Sequence, residues 1–273
     1  NEVVKLAKGE IIVFSDANSL YEPKAIKKII GNFSNKEVGC IVGELKYGKS
    51  FKNHDKKIVI GENIYWKYDQ VLKRLESKVS SLVAANGAIY ALRKNIYEPL
   101  ESTMTSDFIE PLKLFKKGYK TLYRPEAIAW ESTAENSQEE FRRRVRIVTR
   151  CMYSFLKDKS LHSLLNPFRY GIFAIQLWSH RILRWFSGIF LILIFLLNIL
   201  LLNKVGIYNL TILGQGIFYI FAIWGFINEI LFHRQTAKVP HVIYYFCLSC
   251  VAMLYGVINV FAGKEVVTWE TIR

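Results

Sequence analysis

The chain has 273 residues, 51 % of them hydrophobic, and carries a formal net charge of +14. Residues 1–165 hold 29 of the 37 Lys and Arg and 20 of the 23 Asp and Glu, which leaves only 8 and 3 for residues 166–273. So uneven a distribution of charged residues argues against a soluble two-domain enzyme. The basic excess is shared between the two parts, so it indicates the anionic inner leaflet of a membrane and not nucleic acid. Four scattered cysteines argue against a disulfide-stapled secreted domain.

Residues 1–159 alternate signals for strands and helices. The run 10–15 (EIIVFS) is short, apolar and β-branched, which is typical of a strand covered on both faces. Pro23 then opens a helical pattern that continues to Ile30. Alternation of this kind predicts an α/β sheet domain. The further predicted strands are 38–45, 81–92 with a break at Asn86-Gly87, 121–123 and 127–130, and the further predicted helices are 64–75, 111–117 and 139–156.

Residues 160–184 mix aliphatic and aromatic side chains with Arg169, His180 and Arg181, and Pro167 starts a helix among them. This pattern favours amphipathic helices that lie along a membrane interface, where aromatic rings and snorkelling arginines are common. The alternative is a linker of ordinary amphipathic helices packed on the sheet domain.

Three uncharged stretches follow, at 185–203, 205–228 and 239–263. Each is long enough to cross a bilayer, since a helix needs about 20 apolar residues to do so. They predict an all-α transmembrane region over 185–263, followed by a tail at 264–273.

The short loops between these stretches predict the orientation. His233, Arg234 and Lys238 lie between the second and third spans, whereas Lys204 alone lies between the first two. The positive-inside rule therefore predicts a multi-pass protein of the cell (inner) membrane, with the sheet domain in the cytoplasm and the tail outside, unless one span is re-entrant.

Asp16 and Asn18 come directly after the first predicted strand, at the sheet edge where open α/β folds bind ligands. Their oxygens suit a hard cation such as Mg²⁺ or Mn²⁺ that is shared with a diphosphate. The alternative is that Asp16 only forms a turn or caps a helix.

Asp107 stands at the start of a predicted helix, where it could act as a general base that takes the proton of an attacking hydroxyl. The alternative is helix capping by Ser106 or Asp107. Glu110 precedes Pro111 in the same turn and is expected to be a surface charge.

Arg143 and Arg146 are three residues apart on one predicted helix and therefore share a face. Two guanidinium groups on one face match a diphosphate leaving group, whose charge they could neutralise. The alternative is a basic helix that faces anionic lipid and is partly paired with Glu139 and Glu140.

Two further features could contact a sugar acceptor. Trp66 offers a flat apolar face to a sugar ring, although core packing is the other common use of a Trp. Asn86 and Gly87 form a loop of small residues that a ligand could approach closely, or else a β-bulge. The sequence contains no HExxH, GxSxG or Walker-type motif.

In combination these motifs resemble the processive, membrane-embedded family 2 glycosyltransferases that make hyaluronan, chitin, cellulose and poly-N-acetylglucosamine. The segment 14–18 (FSDAN) resembles the metal-binding DxD segment of that family, and 85–88 (ANGA) resembles its acceptor-side loop. The segment 106–108 (SDF) is similar to the motif that ends in the catalytic base, and 143–147 (RRVRI) stands where the family has QxxRW.

The resemblance implies a GT-A-like, Rossmann-like sheet domain and inverting transfer of a sugar from a nucleotide donor, UDP-linked by expectation, to a growing glycan. The spans would form the path of the polymer. The implied roles are catalytic base for Asp107, binding of Mg²⁺ or Mn²⁺ for Asp16 and Asn18, stabilisation of the donor diphosphate for Arg143 and Arg146, and acceptor binding for Trp66, Asn86 and Gly87.

The sequence departs from the family pattern where Asn18 replaces a carboxylate and where Arg143 and Ile147 replace Gln and Trp. The family's first strands, which hold the uridine, would precede Asn1, so we expect a fragment that lacks its start. Transfer of a single sugar to a lipid carrier stays open as an alternative, as does a non-catalytic relative that binds nucleotide or lipid. A transporter is disfavoured because transporters usually carry ionisable groups deep in their spans, and only Glu229 approaches this, near the end of a span.

Overall fold

A mixed β-sheet forms the centre of the first half of the chain. The structure, a computed structural model, describes residues 1–48, 60–132, 136–202, 204–232 and 237–264. Within these residues the strand order is β1-β4-β3-β5-β2. Only β3 and β5 are parallel, and the other pairs are antiparallel. The strands are β1 (Ile11–Phe14), β2 (Leu20–Tyr21), β3 (Val38–Tyr47), β4 (Tyr90–Arg93) and β5 (Lys120–Glu131).

Helices cover both faces of this sheet, which confirms the predicted α/β class. The predicted helices of this half are present at similar positions, and the structure adds one short helix near the start of the chain. The helices are α1 (Glu2–Leu6), α2 (Ala25–Ile30), α3 (Ile60–Val79), α4 (Ser106–Lys116) and α5 (Ser137–Lys157). Alternation along β3 sends Ile41 into a core shared with α2, while Val42 enters a second core shared with α4.

Strand β1 lies at one edge of the described sheet and is half-buried along its length. The sequence predicts a strand covered on both faces, and both faces pack: Ile11 and Val13 contact the α2 core, while Phe14 on the opposite face contacts the core shared with α4. The apolar run therefore predicted the strand and its coverage, although not its position at the edge of the sheet.

The predicted strand at 81–92 is wrong over most of its length, since only Tyr90–Arg93 forms a strand. The preceding residues are buried but irregular, and their amides bond outside the sheet ladder: Leu82 N donates to Thr121 O at 2.9 Å. Conversely, the two predicted strands 121–123 and 127–130 are parts of the single strand β5, which bulges opposite Gly43.

The second half is helical. A 3₁₀ segment at Lys159–Leu165 and a π-helical turn at Trp178–Ile182 interrupt it. Ile172–Trp185 meets the following helix at a bend of 70°. The helices are α6 (Pro167–Tyr170), α7 (Ile172–Leu177), α8 (Leu183–Trp185), α9 (Ser187–Leu200), α10 (Gly206–Phe226) and α11 (Lys238–Phe261).

Two helices among the described residues are long and apolar enough to cross a membrane, Gly206–Ile230 and Lys238–Phe261. The predicted first span at 185–203 is not a continuous helix of that length, because α9 has 14 residues and a bilayer needs about 20. It reaches the length only together with Ile172–Trp185 across the 70° bend, so the number of candidate spans is two, or up to three.

Helix α5 of the sheet domain is packed directly on α11. Val148 and Met152 of α5 share an apolar cluster with Met253 and Val257 of α11. Gly256 permits this close approach, because a Cβ on that glycine would lie 2.8 Å from the Cβ of Val148.

A buried carboxylate reinforces the same contact. The side chain of Glu140 is 3 % exposed and pairs with two guanidinium groups, Arg143 Nη2 at 2.6 Å and Arg144 Nε at 2.7 Å. The hydroxyl of Tyr245 on α11 donates to Glu140 Oε1 at 2.9 Å and accepts from Arg144 Nη2 at 3.1 Å. Pairing of the basic helix with Glu140, which belonged to the alternative interpretation of the arginine cluster, is thus present.

We predict that Gly256→Ala destabilises the protein by about 1–3 kcal/mol, because the added methyl group separates α5 from α11. Gly214→Ala is the matched control: that glycine also lies in a candidate span, and a Cβ added there would meet nothing within 4 Å. Thermal unfolding in detergent measures both. An equal midpoint for the two variants would contradict the close packing of α5 on α11.

Candidate active site

Asp16 lies just beyond the end of β1, in a turn that Ser19 N closes by donating to Asp16 O at 3.2 Å. The surrounding protein raises the pKa of the Asp16 carboxyl by removing part of its hydration, while the nearby Arg146 guanidinium acts to lower it. Asn18 is exposed in the same turn. The two predicted metal ligands therefore occupy one loop at the sheet edge.

The loop at Asn86-Gly87 lies against the Asp16 carboxylate. A Cβ on Gly87 would stand 2.6 Å from Asp16 Oδ2, so this position accepts only glycine without a shift. Asn86 is buried and holds the loop in place: Nδ2 donates to Gly43 O at 2.9 Å, and Oδ1 accepts from Ile89 N at 3.0 Å. Trp66 belongs to α3, and its side chain lies outside the described residues.

Asp107 is in the first turn of α4, which begins at Ser106 and not at the predicted Pro111. A proline has no N–H to donate to the carbonyl four residues earlier, which here is that of Asp107. Ala85 N supplies the missing bond at 2.7 Å. The Asp107 carbonyl that Pro111 leaves free thus bonds the 85–88 loop to the backbone of α4.

The start of α4 is also fixed by α5. Thr105 precedes the helix, and its N–H donates to Ser154 Oγ at 3.0 Å, while the two hydroxyls are 2.9 Å apart. The Thr105 side chain makes no capping hydrogen bond to the first turn of α4. The position of Asp107 is therefore set by two distant segments, the 85–88 loop and α5.

Several charges act on Asp107. Burial raises the pKa of its carboxyl and the Asp16 carboxylate adds to the rise, whereas the guanidinium groups of Arg181 and Arg150 lower it. Asp16, predicted to bind metal, and Asp107, predicted to act as the base, are thus close enough for the charge of one to affect the pKa of the other. Two guanidinium groups also act on Asp107.

Arg143 and Arg146, the two residues predicted to bind the diphosphate, are both on α5. Arg143 stacks on Tyr47 with its guanidinium carbon 5.2 Å from the ring centroid, and it donates to the Tyr47 hydroxyl at 3.1 Å. Arg146 is half-buried beside Asp16. Burial lowers the pKa of Arg146, as do the neighbouring Arg150 and Arg143, and the Asp16 carboxylate opposes this. The structure therefore places Asp16 near both Asp107 and Arg146.

Sequence reasoning missed three charged groups of this cluster. Glu131 ends β5, accepts from Ser19 Oγ, and lies near Asp16 and Arg143. Arg150 stands out in the sequence only as part of the basic helix, although it follows Arg146 by four residues and so shares its face. Arg181 is expected at the membrane surface, and the structure places it beside Asp107. No local signal in the sequence could have shown that contact.

The expectation that Glu110 is a surface charge is wrong. The residue is 5 % exposed, one turn after Asp107 on the inner side of α4, and within the described part of the chain neither carboxylate oxygen has a hydrogen-bond partner. Burial raises the pKa of Glu110 to about 8, against the effect of the Tyr90 hydroxyl and together with the Asp107 carboxylate. Pro111 suggested a helix start, but it lies inside α4.

The side-chain oxygens of Asp16 and Asn18 fit a divalent cation whose other ligands come from a bound molecule. The described residues contain no group of three or more His, Cys, Asp and Glu that could hold a metal ion by themselves. Mg²⁺ commonly binds through one or two protein oxygens and completes its shell with water and phosphate oxygens. Asp16 and Asn18 match such a site, and both side chains are exposed.

Residues 1–149 match the family model described as glycosyltransferase like family 2. The chain belongs to this family. Its structure is similar to that of a mannosyltransferase, PcManGT from Pyrobaculum calidifontis, which was solved in complex with GDP-Man and Mn²⁺. The two agree with a TM-score of 0.61 at 14 % identity, over 97 % of this chain and 66 % of that one.

At this identity the likeness shows the fold alone, a GT-A-like α/β domain followed by a mostly helical remainder. The chain spans 66 % of the length of that mannosyltransferase. A search of the curated proteins found no match.

We predict that Glu110 makes folding less favourable as the pH rises. Its pKa is raised in the folded state, so between about pH 5 and about pH 8 the folded protein binds more protons than the unfolded chain, and stability falls by about 1 kcal/mol per pH unit from this group. Glu110→Gln removes this contribution. Its stability relative to wild type should therefore increase from pH 5 to pH 8 in thermal unfolding.

The exposed Glu126→Gln is the matched control and should show a constant difference from wild type over the same range. A constant difference for Glu110→Gln as well would mean that Glu110 is not buried in its neutral form.

Proposed function

We propose that the protein is a membrane glycosyltransferase that moves a sugar from a nucleotide donor to a hydroxyl of a growing glycan, with inversion at the anomeric carbon. Membership of glycosyltransferase family 2 supports the class of reaction. The observation that carries the proposal is that Asp16, just beyond the end of β1, lies near enough to both Asp107 and Arg146 for its charge to interact with theirs. These three groups have the chemistry that such a displacement needs: an oxygen ligand, a base and a cation.

Asp107 is the proposed general base. Its carboxylate accepts the proton of the acceptor hydroxyl as that oxygen attacks the anomeric carbon, and the bond to the diphosphate breaks on the opposite side, so the configuration inverts. A base must be ionised to do this. Arg181 and Arg150 favour the ionised form of Asp107 against the effect of burial.

Arg143 and Arg146 would neutralise the diphosphate as it departs, since guanidinium groups bind phosphate oxygens in pairs. Mg²⁺ or Mn²⁺, held by Asp16 and Asn18 together with the diphosphate, would supply further positive charge to the leaving group. The solved mannosyltransferase contains GDP-Man and Mn²⁺, which supports a nucleotide-sugar donor and a divalent cation for this chain. UDP remains our expected nucleotide, with GDP as the alternative.

The acceptor would approach from the Asn86-Gly87 loop, which lies against Asp16, and Trp66 would supply an apolar face for a sugar ring. Membrane lipid would surround α10 and α11, and the sheet domain would lie on the cytoplasmic side of the cell membrane. In this arrangement α11 holds α5, and α5 carries the arginines of the site. Sugar transfer would then take place beside the transmembrane helices.

A second candidate is transfer of a single sugar to a lipid carrier. It is favoured by the two, or up to three, candidate spans among the described residues, because few helices in this part of the chain could enclose a polymer. Product length on the purified full-length protein distinguishes the two reactions: a ladder of glycans supports the polymerase, and one sugar per lipid supports the alternative.

We predict that Asp107→Asn in the full-length protein lowers the rate of sugar transfer by about 10²–10⁴-fold, because the amide cannot accept the proton. The assay measures release of nucleoside diphosphate from UDP- and GDP-sugars with Mn²⁺ present. Glu126→Gln should retain the wild-type rate, since that side chain is exposed and outside the cluster. Retained transfer by a folded Asp107→Asn variant would remove Asp107 from this role, and no turnover by wild type would indicate a non-catalytic relative.

We also predict that Gly87→Ala weakens Mn²⁺-dependent binding of the donor by at least about tenfold, which corresponds to 1.4 kcal/mol. The added methyl group would stand 2.6 Å from Asp16 Oδ2 and must displace that carboxylate. Gly9→Ala is the control, because its Cβ would meet only Ile11 O at 3.5 Å. Titration of donor into protein with and without Mn²⁺ measures the effect; equal affinities for Gly87→Ala and wild type would argue against a metal at Asp16.

A further inference from the structure

Helix α3 buries charged side chains. Asp69, Lys73 and Glu76 recur at helical spacing on its inner face, and Lys73 Nζ pairs with Asp69 Oδ2 at 2.7 Å with side-chain exposures of 9 % and 15 %. Glu76 is 5 % exposed and contacts His180 Nδ1 through one carboxylate oxygen. Burial acts to raise the pKa of the Asp69 carboxyl, but Lys73 and then the nearby Arg181 lower it below its usual value. The inner face of α3 is therefore an ionic contact.

The outer face of the same helix is apolar. Its side chains are spaced three or four residues apart, so they form one continuous stripe. Their exposed fractions are 56 % for Tyr68, 53 % for Val71, 53 % for Leu75 and 62 % for Val79. This is the reverse of a helix in a soluble domain, which buries its apolar face and exposes its charges. Single exposed apolar residues are ordinary, but a stripe of this kind marks a surface that another apolar phase covers.

The position of α3 indicates which phase that is. α3 packs against α11, a candidate span, and its buried acids contact the segment of His180 and Arg181. That segment itself exposes apolar side chains, Ile172 at 47 %, Ile175 at 53 % and Trp178 at 38 %. The stripe on α3 thus belongs to the part of the molecule next to the transmembrane helices.

Basic residues border the stripe. Lys67, Arg74 and Lys78 are exposed on α3 and recur at the same helical spacing. An apolar stripe with lysines and arginines along its edge is typical of a helix that lies in the plane of an anionic membrane. A second protein copy would not require this arrangement of positive charge.

We propose that α3 is an interfacial membrane helix, with Tyr68, Val71, Leu75 and Val79 inserted at the boundary between lipid headgroups and acyl chains. The buried ionic contacts of Asp69, Lys73 and Glu76 keep the charged face on the protein side. The inference rests on insertion of α10 and α11 in the bilayer, but it does not depend on the reaction that the protein catalyses.

The test is the accessibility of nitroxide spin labels in the full-length protein, reconstituted in bilayers of phosphatidylethanolamine and phosphatidylglycerol. Single labels are attached through Leu75→Cys and, independently, Val71→Cys, in a background in which Cys151 and Cys247 are changed to Ser. Oxygen partitions into hydrocarbon, whereas a charge-neutral nickel chelate stays in water. We expect the labels on α3 to be more accessible to oxygen than to the nickel chelate.

Two control sites calibrate the measurement. Ile30→Cys replaces an aliphatic residue that is 42 % exposed on α2, a helix that packs on the sheet, and its label should be accessible to the nickel chelate. Leu213→Cys on α10 is 61 % exposed in a candidate span, and its label should be accessible to oxygen.

The proposal is overturned if the α3 labels behave like the label at Ile30 while the label at Leu213 reports lipid. It is also overturned if the α3 labels are shielded from both reagents and their spectra broaden until unlabelled protein is added, because that result identifies a second copy on the stripe. If the label at Leu213 also reports water, the insertion of α10 is wrong and the proposal falls with it. None of these outcomes depends on glycosyltransferase activity.

Discussion

The buried carboxylate of Glu140 is the contact on which the relation between the two halves of the molecule depends. It joins two arginines of α5 to Tyr245 of α11, and its side chain is 3 % exposed. A buried charge of this kind is tolerated only when donors surround it, and removal of one partner leaves the other uncompensated at a cost of about 3–5 kcal/mol. The network therefore gives little net stability of its own but strongly selects one arrangement of α5 on α11.

The geometry of the candidate site follows from that arrangement. Helix α5 carries Arg143 and Arg146, and through Ser154 it also bonds the residue that precedes α4 and Asp107. One helix thus determines the spacing between the proposed base and the proposed diphosphate ligands. Because α5 is fixed to a candidate span, a displacement of α11 would move Arg143 and Arg146 relative to Asp16, which follows β1. Asp107 is held both by α5 and by the 85–88 loop that lies against Asp16.

The sequence predicted what local pattern determines and failed where distant segments decide. Strand β3 and helix α5 follow from apolar periodicity, and Asp16 and Asp107 were found because each stands at the end of an element. Three features depend instead on residues far away in the chain. They are the burial of Glu110, the position of Arg181 near Asp107 and the irregular path before β4. Helix α3 was predicted as a helix, but its buried charges reverse the rule that apolar faces point inward, so its environment could not be predicted from periodicity.

The two carboxylates of α4 differ in the charges that act on them, although burial raises the pKa of both. The guanidinium groups of Arg181 and Arg150 oppose the rise at Asp107 and favour its charged form. Glu110, three residues later, lies near the Tyr90 hydroxyl, and burial together with the Asp107 carboxylate raises its pKa to about 8. Glu110 is therefore largely protonated at pH 7 and adds little negative charge beside Asp107. A general base must be ionised to accept a proton, so the guanidinium neighbours favour Asp107 over Glu110 as the base.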